Sequence, residues 1–386
     1  MKYIKKVAVA MGLKIVYDHL QDVYLTIRGF HLLSREQTFA FLALYEVKVI
    51  SENLISLPQV ANRGDNEKII FPFKESISNR LCVWKYQNLK QYVQLSKYGS
   101  VVIKRNVLCT DWTHTSFYKD IWKRDNRYSV TVPSVIAPFS HLQDGIWYGG
   151  YFDFVFHVLA KICRIKDTLS KEDFENTYMS YPLFNAPYEK DYLNLLGFNL
   201  DNLIDSRECK VISPRAIIGN KGNWYPNKAD ILSLKTHIER KFKPAKTASN
   251  RIYIRRSNRR RIVNEDELIT TLKKFNFIVI EDKDRTIMEQ MSIYHNASFI
   301  LGPHGASFSN IIWCDPGTHL FELFSRNYMP DFFLYLTTVM DMKYSAYYEE
   351  STESNNNYSD AVTEDIYVSV PKLELCLKKV FTNELC

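Results

Sequence analysis

Between Arg251 and Phe324 the pattern of the chain alternates between two periods, and this alternation limits the fold more than any other feature of the sequence. Short β-branched and aromatic runs, Arg251–Arg255 (RIYIR), Phe277–Glu281 (FIVIE), Ala297–Leu301 (ASFIL) and Thr318–Phe324 (THLFELF), read as strands. Between the first two, Asn264 with Glu267 three residues on has capping-box spacing and predicts a helix to about Phe275. Thr286–His295 predicts a second helix, and Gly302-Pro-His-Gly-Ala leads into a third. Strands alternating with helices of this length predict a doubly wound parallel sheet in an α/β domain. Ligands of such sheets bind at the carboxyl ends of the strands.

With 386 residues the chain is too long for one ordinary core and suits two domains. Pro226 and Pro244 lie in the Gly-, Asn- and Lys-containing segment Lys221–Asn250, which predicts the interdomain crossing. The expected division is 1–220, 221–346 and a tail, 347–386, that packs back on the first domain. Upstream, Gln37–Ile50 reads as a helix, Gly99–Asn106 and Tyr128–Val132 as strands, and CKVISPRAIIG (209–219) as one extended run. With 46% apolar and 24% charged residues, a disordered chain is excluded. The net charge of +7 favours anionic ligands or an acidic membrane surface, but is too thinly spread for a nucleic-acid face. The longest stretch free of Asp, Glu, Lys and Arg, Gln290–Cys314, holds His295, Asn296, His304 and Asn310 and so cannot be a membrane span. Lys14 and Asp18 interrupt the apolar start, so no signal peptide is expected. Seven scattered cysteines without CxxC spacing read as reduced thiols of a cytoplasmic protein, with neither disulfides nor a zinc site.

Three features converge on the strand ends. Arg255, Arg256, Arg259, Arg260 and Arg261 follow the first strand, and guanidinium forks suit phosphate oxygens; a solvated basic loop or a nucleic-acid patch is the alternative reading. Leu301-Gly-Pro-His-Gly-Ala-Ser-Phe-Ser-Asn310 runs a strand through a glycine turn into a helix start, an anion site in which His304 can donate to phosphate. Its spacing matches neither GxGxxG nor the P-loop. Glu322, in the next strand, stands where a carboxylate holds ribose hydroxyls. Together they describe a nucleoside-diphosphate site. Asp282-Lys-Asp284 has the form of a divalent-metal motif, but paired acids in a surface loop are common, and a metal is not expected to be required.

These residues resemble glycosyltransferase family 61. The resemblance rests on Arg256, Arg260 or Arg261, Asn264, Glu265, Gln290, Gly302, His304, Gly305, Ala306, Asn310, Pro316, Gly317 and Glu322, in order and at the family's spacing. A weaker echo lies in WYGGYFDFVFHVLAKICRI, where Asp153 stands at the family's His and His157 where its acid falls; the order is reversed, but i and i+4 share a helix face. The resemblance implies a GT-B enzyme: two Rossmann-like domains facing a cleft, with the nucleotide-sugar on the C-terminal domain and the acceptor on the N-terminal one. It further implies an inverting, metal-independent transfer, most often from a UDP-sugar, with no other cofactor. Asp153 would be the base, with His157 orienting or replacing it, and His304 would stabilise the leaving diphosphate. Arg256, Arg260, Gly302, Gly305, Ala306, Asn310 and Glu322 would complete the donor site. A glycan or lipid-linked glycan acceptor, surface-polysaccharide synthesis (capsule or lipopolysaccharide) and peripheral contact with the inner membrane face are the expected setting, without nucleic acid. The alternative is an inactive family member that binds glycan or nucleotide.

Overall fold

The alternation after residue 250 folds as a parallel sheet. The computed structural model describes residues 14–51, 53–78, 80–111, 114–118, 124–139, 149–221, 224–350 and 357–382, and divides the chain into two units. The second unit comprises 53–78 and 235–386. Besides a small two-stranded sheet of Asn53–Leu57 and Lys74–Ser78, it holds a seven-stranded sheet of β1 (Val60–Asn62), β2 (Asp65–Phe71), β3 (Asn250–Ile254), β4 (Phe277–Ile280), β5 (Ala297–Pro303), β6 (His319–Phe324) and β7 (Lys343–Tyr348). They lie in the order β4-β3-β5-β6-β7-β1-β2, every neighbouring pair parallel except β1–β2. The chain leaves β3 for β4 on one side and then returns to place β5 on the other. The carboxyl ends of β3 and β5 therefore flank a topological switch point, where open α/β sheets bind ligands.

Helices α1 (Glu265–Lys273), α2 (Ile287–His295), α3 (Phe332–Val339) and α4 (Val370–Phe381) accompany this sheet. Asn264 precedes α1 but forms no cap. Its amide instead bonds the backbone of Val368, accepting at 3.2 Å and donating at 2.8 Å, and ties the tail to the helix start. A capping box does form one helix later, at Thr286 and Glu289. The expected third helix is a 3₁₀ helix, Ala306–Trp313. The Ser307 carbonyl accepts from the Tyr294 hydroxyl at 2.8 Å and from Asn310 Nδ2 at 3.1 Å, and such side-chain bonds compete with an α-helical ladder.

Two expectations about domain limits are corrected. The tail does not return to the first unit: Leu373, Cys376 and Leu377 of α4, spaced as one helical stripe, are buried with Leu268, Leu272 and Phe277 in the core of the second. Phe381 extends that contact, packing on Phe299 at 5.0 Å beneath Arg251. Nor is the first domain continuous, because 53–78 belongs to the second unit. Asn62 explains the attachment of β1 to β7: its side chain donates to the Tyr348 carbonyl at 3.1 Å and accepts the Tyr348 amide at 3.1 Å.

The first unit comprises 1–52 and 79–234 and holds two six-stranded mixed sheets around one core, where Trp84, Val101, Val135, Val211 and Ile218 meet. In one sheet, Leu203–Asp205, Tyr178–Tyr181, Val135–Ala137 and Arg215–Gly219 form a parallel block extended by two antiparallel strands, Leu81–Gln87 and Glu46–Ile50. The run at 209–219 breaks at Pro214, so that Cys209–Ser213 and Arg215–Gly219 enter different sheets. The helix expected over Gln37–Ile50 ends at Leu42, after which the β-branched alternation of EVKVI forms an edge strand. Mixed α/β architecture thus holds for both units. Among the described residues no helix is long and apolar enough to cross a membrane.

Candidate active site

At the switch point the five arginines separate into two kinds. Arg255 is consumed by Glu265 (2.7 Å) and Glu281 (3.1 Å), and Arg261 by Asp365 (2.6 Å). Arg259 is exposed. Arg256 and Arg260 form no ion pair with a carboxylate among the described residues; Asp282 and Glu322 act on them only from a distance. Arg256 Nη1 donates to the His304 carbonyl at 2.8 Å, and Arg260, held at φ +57°, donates to the Val362 carbonyl at 2.9 Å with its guanidinium 5.3 Å over the Tyr328 ring. Burial, then repulsion from Arg260 and Arg259, lowers Arg256 to about 10, and burial with Arg259 lowers Arg260. Two partly buried cations this close together have the chemistry to hold an anion.

The glycines beside them are dictated by space. A Cβ on Gly302 would meet the Ile254 carbonyl at 2.8 Å, so β3 and β5 approach there only without a side chain. On Gly305 it would fall 1.7 Å from Arg256 Nη1, in the path that carries the guanidinium to His304. Ala306 begins the 3₁₀ helix. Asn310 faces inward, 1% exposed, donating to Gln290 Oε1 at 2.8 Å and accepting from Trp313 Nε1 at 3.3 Å; in the structure it pins the 3₁₀ helix to α2.

His304 is 5% exposed and sits among aromatic rings, Phe324 stacked at 5.4 Å and Phe333 at 5.2 Å. Its Nδ1 bonds Glu322, and the other oxygen of Glu322 accepts the Tyr344 hydroxyl at 2.6 Å. The reading of Glu322 as a strand-end acid open to ribose is corrected here. The residue is 0% exposed, and both its oxygens are committed within the protein. Burial lowers the pKa of His304, opposed by Glu322 and aided by Arg260 and Arg256. Asp282, of the suspected metal motif, caps the β3 exit instead, accepting Ser257 N at 2.7 Å and Ser257 Oγ at 2.6 Å.

In the first unit Asp153 and His157 lie on the continuous helix 151–166, whose middle, Phe154–Leu159, widens into a π-helix, a form common at functional sites. The two are not brought together: among the described residues neither a hydrogen bond nor an ion pair joins them. Asp153 Oδ2 accepts the amides of Gly149 (3.2 Å) and Gly150 (3.1 Å). Burial raises its pKa, opposed by those amides and by Lys221. His157 is 1% exposed, edge-on to Phe152 and Trp224 at 5.6 and 5.4 Å. Burial, with Lys221 and Lys161, drives its pKa well down, so it is a neutral imidazole.

Sequence reasoning missed the rest of this cluster. Lys161 bonds Asp111 at 3.0 Å with both side chains almost wholly buried, and Lys221 lies 5.2 Å from the Trp224 ring, lowered by burial to about 7. Lys161 left one signal, a lysine inside the apolar run FVFHVLAKI four residues after His157. Asp111 and Lys221 left none, since only the tertiary fold brings them near.

The family model of glycosyltransferase 61 matches residues 151–321. The resemblance to glycosyltransferase family 61 holds over that span. The match begins with the helix of Asp153 and His157, takes in Arg256, Arg260 and the His304 turn, and ends one residue before Glu322. A further similarity is to the EGF domain-specific O-linked N-acetylglucosamine transferase of Xenopus laevis, 34% identical over 79 residues, 19% of this chain and 15% of that protein. The chain thus matches a small part of that relative's length.

Proposed function

We propose that this chain is an inverting glycosyltransferase, a hexosyl- or pentosyltransferase of GT-B type. It moves a sugar from a nucleotide-sugar, a UDP-sugar first, to a hydroxyl of a glycan or lipid-linked glycan acceptor. The second unit takes the donor and the first takes the acceptor. The observation that carries the reading is the pair Arg256 and Arg260, joined to no carboxylate by an ion pair among the described residues, at the switch point of a sheet within the family match. Such a site stabilises a leaving diphosphate by positioned positive charge, with the His304 turn beside it, and a divalent ion is not needed for that role. Asp153 is the base, in a helix start where burial raises its affinity for a proton. Synthesis of a surface polysaccharide at the cytoplasmic face of a membrane fits the net charge of +7.

A panel of UDP, GDP, CDP, CMP and dTDP, read by thermal shift with EDTA or Mn²⁺, tests the donor site. Stabilisation by one nucleotide, unchanged by EDTA and lost in Arg260→Gln, is the expected result; no shift by any nucleotide refutes it. A second reading, an inactive binding subunit, draws on the two amides that occupy Asp153 Oδ2. Donor hydrolysis without acceptor separates the two: an enzyme turns over and loses roughly 10²–10⁴-fold in Asp153→Asn, whereas a binding subunit shows no turnover in either form.

A further inference from the structure

His304, Glu322 and Tyr344 form a chain of hydrogen bonds from the edge of the switch point into the core. Glu322 faces Gly302 across the β5–β6 register, which brings its carboxylate under the His304 ring, and Tyr344 reaches it from β7. Tyr344 is itself backed by Phe71 of β2, whose ring also packs on Phe324 at 5.9 Å. With Nδ1 held by Glu322, the ring's remaining polar function is Nε2. We propose that His304 meets the donor diphosphate as an imidazolium, taking up a proton from solvent at Nε2 as the anion enters, with Glu322 and Tyr344 as the positioning residues that make this protonation possible. The proposal rests on the donor-site reading above and adds to it a proton and two residues, one of them Tyr344.

The charges around the ring favour the step. Arg256 and Arg260 face it from the β3 exit, Glu322 from β6, and the neutral hydroxyls of Tyr344 and Tyr328 from β7 and the loop after β6; Phe332 and Phe333 of α3 add no charge. Asp282 acts on Arg256 from the loop after β4, and Arg259, Tyr358 and Asp331 stand further out. Without a bound anion the two guanidinium groups are set against the carboxylates of Glu322 and Asp282, and burial favours the neutral ring. A nucleotide-sugar diphosphate brings two negative charges to this balance, and a proton on Nε2 offsets one of them. Nδ1–H stays donated to Glu322 while the new Nε2–H donates to a phosphate oxygen. A neutral ring with its Nδ1 proton toward Glu322 would instead aim a lone pair at that oxygen, which repels it.

Isothermal titration at pH 7.5 in Hepes and in Tris, whose ionisation heats differ, reads the proton directly. The probes are UDP-N-acetylglucosamine, whose diphosphodiester does not titrate in this range, and UDP. The wild type is expected to show a binding enthalpy that changes with buffer in the sense of proton uptake, and an affinity that falls by up to about tenfold per pH unit above neutrality. The buffer dependence is expected to vanish in His304→Gln and to shrink in Glu322→Gln and Tyr344→Phe. The Tyr344→Phe change deletes one oxygen and serves if Glu322→Gln does not fold. Tight binding with no buffer dependence in the wild type, or unchanged uptake in His304→Gln, overturns the proposal and leaves the donor site standing. Failure of both nucleotides to bind the wild type removes the donor site and the proposal with it.

Discussion

Gly305→Ala tests the arginine geometry with a single carbon. Gly305 has φ −177°, an extended conformation open to any residue, so the substitution carries no backbone penalty. The whole effect is contact: the new Cβ would lie 1.7 Å from Arg256 Nη1 and 2.8 Å from its Cζ. The guanidinium is the far end of a flexible side chain and swings aside, giving up the 2.8 Å bond to the His304 carbonyl. A hydrogen bond to a charged group is worth about 1.5–3 kcal/mol, and that is the expected loss of stability, at roughly 2–4 °C in melting temperature per kcal/mol. The same displacement takes Arg256 from the donor phosphates, weakening UDP binding by roughly 10–100-fold in calorimetry. Two other glycines calibrate the result. At Gly317 the backbone is left-handed, φ +81°, with no atom within 4 Å, so Gly317→Ala costs about 1–2 kcal/mol in stability and leaves nucleotide affinity unchanged. At Gly302 the obstacle is the backbone carbonyl of Ile254, which cannot swing aside, so Gly302→Ala costs about 1–3 kcal/mol by overpacking β3 against β5. If Gly305→Ala keeps both the wild-type melt and the wild-type UDP affinity, Arg256 does not lie where it is needed and the reasoning fails.

Asp111→Asn leaves Lys161 as a buried charge without its counter-ion and is expected to cost on the order of 3–5 kcal/mol in urea unfolding; a loss below 1 kcal/mol, the worth of a surface pair, would show the pair to be solvated. Lys221, lowered by burial to about 7, binds fewer protons folded than unfolded between that pH and the ordinary lysine value of about 10.4. Stability should therefore rise with pH across this window, and the urea midpoint of Lys221→Met should rise less steeply than that of the wild type; parallel profiles would contradict the burial. Leu377→Ala removes a fully buried side chain of α4 and is expected to cost about 2–5 kcal/mol, whereas a tail resting loosely on the surface would lose under 1 kcal/mol on urea unfolding.

What could be read in advance was local. The strands RIYIR, FIVIE, ASFIL and THLFELF announced themselves because each is a short β-branched or aromatic run bounded by turn residues, and all four lie in the parallel sheet. Their order in chain and sheet then placed Arg256 and the His304 turn at one switch point. The 3₁₀ form of Ala306–Trp313 was not legible, because it depends on a carbonyl, that of Ser307, shared by Tyr294 and Asn310. The reach of 53–78 into the second unit was equally hidden: the bonds of Asn62 to Tyr348 span 286 residues of chain. In the first unit, strands such as Val135–Ala137 are too short to show a period, and the sheets are mixed, so no single pattern runs through them.

Glu322 shows where such reasoning stops. A carboxylate near a strand end reads as exposed because an unpartnered ionised group cannot be buried without great cost. That inference assumes no partner, and both partners come from elsewhere: His304 from the preceding strand's exit and Tyr344 from the next strand, 18 and 22 residues away. Once they are present the cost is met by hydrogen bonds, and burial becomes the reason the carboxylate matters, since a desolvated acid beside an imidazole influences its protonation far more than a hydrated one. The same residue in the same strand therefore changes task, from touching a ligand to setting the charge of the residue that does, and the deciding element is the tyrosine of β7, which lies beyond the family match and which no local pattern singles out.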